Sequence, residues 1–159
     1  MKKRILSLAL GLLLSISVLF VACNDQTQSN ANATFVPPPF DASAVAGTPP
    51  VPDGLGWNEL NANNVYKVSV CGVVKVTDGL ADVWLTNPST NTVWLKVRIL
   101  DEKDNVLGES GLIRPGEYVQ AVQLQKKAAK GAKIAMRIMS YQPETYYSMG
   151  EITLNTTIS

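Results

Sequence analysis

Apolar and polar residues alternate with a period of two through residues 65–159, which predicts β-strands with one buried face. Tyr66, Val68 and Val70, for example, alternate with Lys67 and a serine. The predicted strand regions are 66–76, 81–86, 92–100, 106–113, 118–124, 133–141 and 147–158. Because none of this region has a sustained apolar period of 3.6 residues, the sequence predicts an all-β domain.

Turn-forming residues separate these strand regions. Asp78-Gly79 and residues 87–91 (Asn-Pro-Ser-Thr-Asn) interrupt the alternation, and residues 114–117 (Arg-Pro-Gly-Glu) have Pro and Gly where a type II turn needs them. Seven short strands in roughly 95 residues favour an antiparallel β-sandwich with immunoglobulin-like topology. We therefore expect residues 65–159 to form one such sandwich of about seven strands.

In the last predicted hairpin, the inward-facing residues of the two strands do not match across the turn. With residues 142–145 as its loop, the inward side chains of 133–141 would face polar positions of the final strand. A β-bulge near Gly150 would shift the register by one residue and bring Ile152 and Leu154 inward. The sequence therefore predicts a bulge at that position.

The N-terminus has the pattern of an export segment. Three basic residues (2–4) precede an uncharged apolar run (5–22), and the run ends in Leu-Phe-Val-Ala-Cys at residues 19–23. This ending resembles the lipobox of bacterial prolipoproteins, which implies a diacylglycerol on Cys23 and removal of the signal peptide 1–22. An uncleaved signal anchor is the alternative. Both interpretations put the rest of the chain on the extracytoplasmic face of the cell membrane, attached through its N-terminus.

Residues 23–64 have the composition of a tether. Residues 24–34 are almost all small or polar, and six of the nine prolines fall between residues 37 and 52. We expect a disordered Asn- and Pro-rich spacer, with a Pro-rich ligand segment as the alternative. Leu55, Trp57 and Leu60 are candidates for packing back onto the domain.

Two turn motifs carry a further resemblance. Asn-Pro-x-x-Asn at residues 87–91, an alternating strand, and Gly-Leu-Ile-x-Pro-Gly at residues 111–116 resemble a family of small immunoglobulin-like sandwich lipoproteins from Gram-positive bacteria. The resemblance covers residues 65–158. It implies the fold and the location, and it implies no biochemical activity.

Composition restricts the chemistry that is available. The chain has no histidine, which removes the commonest general base and metal ligand, so we expect no enzyme, cofactor or metal site. After cleavage, 11 Lys and Arg would stand against 13 acids, a net charge of −2 that does not favour nucleic acid. The sequence favours a non-catalytic binding or assembly module with an envelope glycan or protein partner; a purely structural envelope protein is the alternative.

Two tryptophans are the strongest candidates for a binding face. Trp84 and Trp94 alternate out of phase with neighbouring core residues. If residues 87–91 close a hairpin, the two rings lie opposite each other with Asp82 facing Lys96, as an aromatic plate suited to a sugar or a peptide. If the connection crosses between sheets, the rings separate and either can be covered by the tether or a loop. The strand count favours the crossing.

Three further groups have a functional and an ordinary interpretation. Cys71 could be an activated thiol beside Lys67 and Lys75, or a small buried residue, which we favour. Residues 101–105 could offer oxygen ligands to calcium, or form a solvated hairpin turn, which we favour. A run of four lysines could contact an anionic surface, or keep a loop soluble, which we favour. These are Lys126, Lys127, Lys130 and Lys133.

Overall fold

The computed structural model describes residues 35–159, so the predicted export segment and Cys23 lie outside the described residues. In this range the chain forms ten strands and no helix. The strands are β1 (Val45–Ala46), β2 (Trp57–Ala62), β3 (Tyr66–Cys71), β4 (Lys75–Thr77), β5 (Leu80–Asn87), β6 (Trp94–Asp101), β7 (Val106–Glu109), β8 (Glu117–Gln123), β9 (Lys133–Tyr141) and β10 (Ser148–Thr157). Nothing in residues 35–159 therefore offers an apolar helix long enough to cross a membrane.

The strands pack as two antiparallel sheets, which confirms the predicted all-β sandwich. The first sheet has the order β1-β8-β5-β3-β2, with β4 also paired with β5, and the other has the order β10-β9-β6-β7. The predicted strand 66–76 is split into β3 and β4 because the N–H groups of Gly72 and Val73 bond to the carbonyls of Gly56 and Leu55. This split, together with β1 and β2, accounts for ten strands where about seven were expected.

Consecutive strands β5 and β6 lie in different sheets. β5 pairs with β8 and β6 pairs with β9, so the chain crosses between the sheets as it does in immunoglobulin-like sandwiches. The buried Asn87 amide holds the crossing, since its nitrogen donates to the carbonyls of Val93 and Ile113 at 2.9 Å each. Asn91 in turn donates to the Asn87 side-chain oxygen at 2.7 Å. The Asn-Pro-x-x-Asn motif is therefore a structural element of the crossing.

The core lies between the sheets and is filled by the alternating residues. Val83 and Leu85 from the first sheet meet Leu95 and Val97 from the second, and all four are fully buried. Burial of such side chains contributes about 1.5–3 kcal/mol each. The Tyr66 hydroxyl donates to the Ile138 carbonyl at 3.2 Å and adds a polar link across the core.

The last hairpin contains the predicted bulge. The register of β9 and β10 shifts between Ser148 and Glu151, and Gly150 has φ +106°. Beyond the shift, Ile152 pairs with Ile138 and Leu154 continues the same inward row. The mismatch across the turn is resolved as expected, because a bulge adds one residue to one strand.

Residues 40–56, which we call the strap, lie along the sandwich. Asp41 donates its N–H to the Leu112 carbonyl at 2.9 Å and accepts the Gly111 N–H on its carboxylate at 2.7 Å. Farther on, the strap contributes β1, which pairs with β8. The predicted tether is therefore wrong for residues 40–54, because backbone groups of this proline-rich segment form hydrogen bonds with the sandwich. Leu55, Trp57 and Leu60 pack onto the domain, which confirms their selection as candidates.

The hairpin of β2 and β3 also lies within the predicted tether. Asn63 and Asn64 have φ of 50° and 60°, and the N–H of Val65 bonds to the Ala62 carbonyl at 2.8 Å. Two consecutive positive φ angles are typical of a type I′ hairpin, and asparagine tolerates them. The ordered domain thus begins well before the boundary that the sequence predicts.

Candidate binding site

The structure separates the two tryptophans of the predicted binding face. Trp84 lies in β5 of the first sheet, and Trp94 begins β6 of the second. The connection crosses between the sheets, as the strand count favours, and the aromatic plate of the hairpin alternative is wrong. The proposed pairing of Asp82 with Lys96 fails for the same reason.

Trp84 belongs to a second small core on the outer face of the first sheet. It is 5% exposed, packs with Leu55 and Cys71, and stacks on Tyr118 with ring centroids 6.1 Å apart. It lies in a bulge of β5 against β8 and has φ +48°. Its indole N–H is buried without a hydrogen-bond partner among the described residues. The strap covers this ring, so Trp84 presents no binding surface.

Trp94 is partly exposed on the outer face of the second sheet. Phe40 packs edge-on against it with centroids 4.8 Å apart, and Tyr146 lies 5.2 Å away on a tilted ring. The Arg114 guanidinium lies 3.5 Å from the centre of the Phe40 ring. Trp94 is therefore covered in part by the start of the strap and by the β9–β10 loop, as the alternative interpretation expected.

Lys96 and Asp82 have other neighbours than the predicted ones. The Lys96 ammonium lies 2.8 Å from Glu109, which also pairs with Arg98 at 3.0 Å, whereas Asp82 lies opposite Lys75. Burial raises the pKa of Glu109, but hydrogen bonds from Lys96 and Arg98 outweigh it and leave that pKa below its ordinary value. This cluster is an ion-pair network of the sheet surface.

Cys71 is a buried residue and not an activated thiol. Its side chain is fully buried in the Trp84 cluster, and burial, with a smaller contribution from Asp82, raises its pKa to about 11. The lysines beside it in sequence do not lower the pKa. The thiolate that nucleophilic chemistry requires is thus suppressed at neutral pH.

The acidic segment at residues 101–105 forms the β6–β7 turn. The Asp101 carboxylate accepts hydrogen bonds from the backbone N–H groups of Lys103 and Asn105 and from the Asn105 amide. These contacts occupy the oxygens that calcium would need. In residues 35–159 no group of three or more His, Cys, Asp or Glu side chains is placed to hold a metal ion.

The lysine run occupies the loop from β8 to β9, with Lys133 as the first residue of β9. All four of its side chains are exposed, and Lys133 lies 3.5 Å from Glu102. Contact of this loop with an anionic surface stays a prediction.

A pocket of about 330 Å³ lies on the outer face of the first sheet, where the strap passes over it. We call it the strap pocket. Pro49 and its neighbours in the strap form one wall, and Trp57 and Glu59 of β2 line it as well. Its buried polar residues on the sheet are Ser69 of β3 and Thr86 and Asn87 of β5, and the Asn87 amide is bonded within the crossing. Ser69 and Thr86 alternate with core residues, so their side chains point away from the sandwich interior.

The hydroxyl groups of the strap pocket are incompletely bonded. Ser69 is 4% exposed, and its hydroxyl makes no side-chain hydrogen bond within residues 35–159 but is accessible from the pocket, so it is not an enclosed unpaired atom. Thr86 donates a long bond of 3.3 Å to the Trp84 carbonyl, which leaves its lone pairs available. Trp57 donates its indole N–H to the same carbonyl at 3.1 Å, so the ring that lines the pocket is held in place.

The sequence does not indicate this pocket, because the composition of the strap predicts a spacer. Leu60 and Ala62 before Asn63-Asn64, with Tyr66 and Val68 after it, share one face and are a signal of the β2–β3 hairpin that could have moved the boundary. The docking of the strap has no comparable local signal, since its partners lie about 70 residues away in sequence.

Comparisons with protein-family models, curated proteins and solved structures found no match to this chain.

Proposed function

We propose that this protein is an exported lipoprotein, anchored to the cell membrane through Cys23, and that it acts as a non-catalytic binding module at the cell envelope. The lipobox-like residues 19–23 and the absence of histidine support this proposal. We further propose that the strap pocket is the site where it binds an envelope partner.

The incompletely bonded floor of the strap pocket carries the proposal. The hydroxyls of Ser69 and Thr86 border a concave space whose aromatic wall, Trp57, is held by its hydrogen bond to the Trp84 carbonyl. A few convergent polar groups beside an aromatic wall are typical of ligand sites.

Photo-crosslinking on intact cells tests the binding role. A benzophenone amino acid at Ser89, an exposed residue that lines the pocket, is compared with one at Lys103 in the turn at the other end of β6. We expect a discrete adduct from position 89 and none from position 103. Equal adduct yields at the two positions, or no adduct at 89, would contradict the proposal.

The anchor has its own test. Cys23→Ala should abolish incorporation of labelled palmitate and release the chain from the lipidated pool, because a single thiol is the proposed attachment point. Unchanged acyl labelling of this variant would overturn the lipoprotein assignment, and it would leave the pocket experiment unaffected.

A further inference from the structure

The strap pocket offers hydroxyl groups on its floor. Ser69 and Thr86 are neighbours across β3 and β5, as their paired Cα positions show, and both line the pocket. Ser69 can both donate and accept, and the Thr86 oxygen can still accept. Such a floor matches a ligand whose own groups both donate and accept hydrogen bonds.

One wall offers a fixed aromatic ring. The Trp57 N–H is used by the Trp84 carbonyl at 3.1 Å, so the part of the indole that borders the pocket is apolar. A rigid, half-buried ring provides contact area at little cost in conformational entropy. A pyranose has apolar C–H faces and hydroxyl groups around its edge. It can therefore pack a face against the Trp57 ring and hydrogen-bond to the hydroxyls of the floor.

The charge around the pocket argues against ionic ligands. Glu59 is the one charged residue among the described residues that line it, and its carboxylate lies 2.8 Å from the Lys67 ammonium. An anion would meet a carboxylate and no cation of the pocket lining. A cation would find one carboxylate that is already paired. The chemistry therefore favours a neutral ligand.

The size of the pocket limits the ligand further. About 330 Å³ lies at the small end of the roughly 300–1,000 Å³ found for ligand pockets. Thr48 and Ser89 are exposed lining residues, so the pocket is accessible from solvent. One ring-sized unit of a longer molecule fits these dimensions.

From these observations we infer that the strap pocket binds a neutral sugar unit of a glycan, with its ring against Trp57 and its hydroxyls on Ser69 and Thr86. This inference rests on the proposed binding function and names the class of ligand for the same site.

An NMR titration of the isotope-labelled full chain, purified in detergent, tests it. The probes are glucose, N-acetylglucosamine and their short β-linked oligomers at up to about 10 mM, above a millimolar Kd. Inorganic phosphate and a short alanine-rich peptide serve as comparison probes. We expect at least one sugar to produce saturable shifts of the Ser69 and Thr86 amides and of the Trp57 indole N–H, and phosphate and peptide to produce none.

Variants separate the site from the fold. Ser69→Ala should weaken sugar binding by about three- to tenfold, the loss of one neutral hydrogen bond, with the melting temperature unchanged because no described residue uses that hydroxyl. Glu59→Gln should retain the fold, since its exposed ion pair contributes little. The matched control Ser148→Ala, on the second sheet, should bind as the wild type does.

The outcomes are distinguishable. Shifts caused by the peptide or phosphate and not by sugars would overturn the glycan inference and leave the binding function intact. Sugar shifts confined to Trp94 and its neighbours would overturn the location. If no sugar shifts the pocket signals while crosslinking at Ser89 succeeds on cells, the ligand class is wrong. If crosslinking at Ser89 also fails, the proposed function fails with it.

Discussion

The indole nitrogen of Trp57 donates a hydrogen bond of 3.1 Å to the backbone carbonyl of Trp84. The bond joins β2, which the composition suggested was a spacer, to the bulge of β5. It also fixes the boundary between two different environments on the outer face of the first sheet. On one side lies the apolar Trp84 cluster, and on the other lies the hydroxyl-lined strap pocket.

Trp84→Ala should cost about 3–5 kcal/mol of unfolding free energy, the range for truncating a buried tryptophan. Trp84 is 5% exposed under the strap, whereas Trp94 is partly exposed and contacts two other rings. We therefore expect Trp94→Ala to cost less, as measured by urea denaturation with unchanged m values. Equal losses of unfolding free energy in the two variants would show that the solvent exposure of each ring does not determine how much it stabilises the fold.

Gly111→Ala should displace the strap. A Cβ at position 111 would lie 2.5 Å from the Asp41 backbone nitrogen, which real contacts do not permit. Limited proteolysis should therefore cut the variant within residues 40–56, while the wild type resists cleavage there because this backbone is hydrogen-bonded. Gly131→Ala strains the backbone because φ is +82° there, but its added atom has no neighbour within 4 Å, so it is the control for a destabilising glycine substitution that does not touch the strap. Cleavage of the wild-type strap at the same rate would contradict the docked arrangement.

Asn87→Ala should be among the most damaging single substitutions of a polar residue. It would remove the 2.9 Å donor to the buried Val93 carbonyl, and it would remove one of two donors to the Ile113 carbonyl, which keeps the Leu95 N–H at 3.0 Å. An unsatisfied buried group costs about 1–3 kcal/mol and a lost hydrogen bond about 0.5–1.5 kcal/mol, so we expect a loss of roughly 2–4 kcal/mol in chemical denaturation. Asn105→Ala, in an exposed turn, should lose far less. A loss under about 1 kcal/mol at Asn87 would mean that the crossing is held by other contacts.

Cys71 should react slowly with thiol reagents in the folded protein. Burial raises its pKa to about 11, so at pH 8 almost all of the thiol is protonated and the fully buried sulfur is also inaccessible. Labelling by a disulfide reagent should become fast only when urea unfolds the chain. Fast labelling without denaturant would show that the strap opens frequently over the Trp84 cluster.

Stability should depend on pH through Glu109. Its pKa in the folded state is lowered by Lys96 and Arg98, so its stabilising contribution is fully present above the unfolded pKa and is lost as pH falls through the folded pKa. The difference in unfolding free energy between the wild type and Glu109→Gln should therefore shrink from pH 7 towards pH 3. A difference that stays constant over this range would argue against the ion-pair network as its source.

The sequence by itself determined the all-β class, the seven main strand regions, the bulge at Gly150 and the type II turn at Gly116, whose φ is +82°. These features depend on local rules, because alternation decides which face is buried and turn residues decide where a strand ends. The sequence also favoured a connection between β5 and β6 that crosses from one sheet to the other, but the number of predicted strands was its one argument for this.

The tertiary structure alone decided the position of the strap, the burial of Trp84 and the existence of the strap pocket. A proline-rich segment has the same composition whether it extends into solvent or lies on a sheet. Docking depends on backbone partners such as Gly111 and Leu112, which lie about 70 residues from Asp41. Trp84 is likewise out of phase with the core in sequence, yet it is buried because Leu55 and Trp57 from a distant segment cover it. Contacts between segments so far apart have no local pattern, so the candidate site emerged only when the chain was folded.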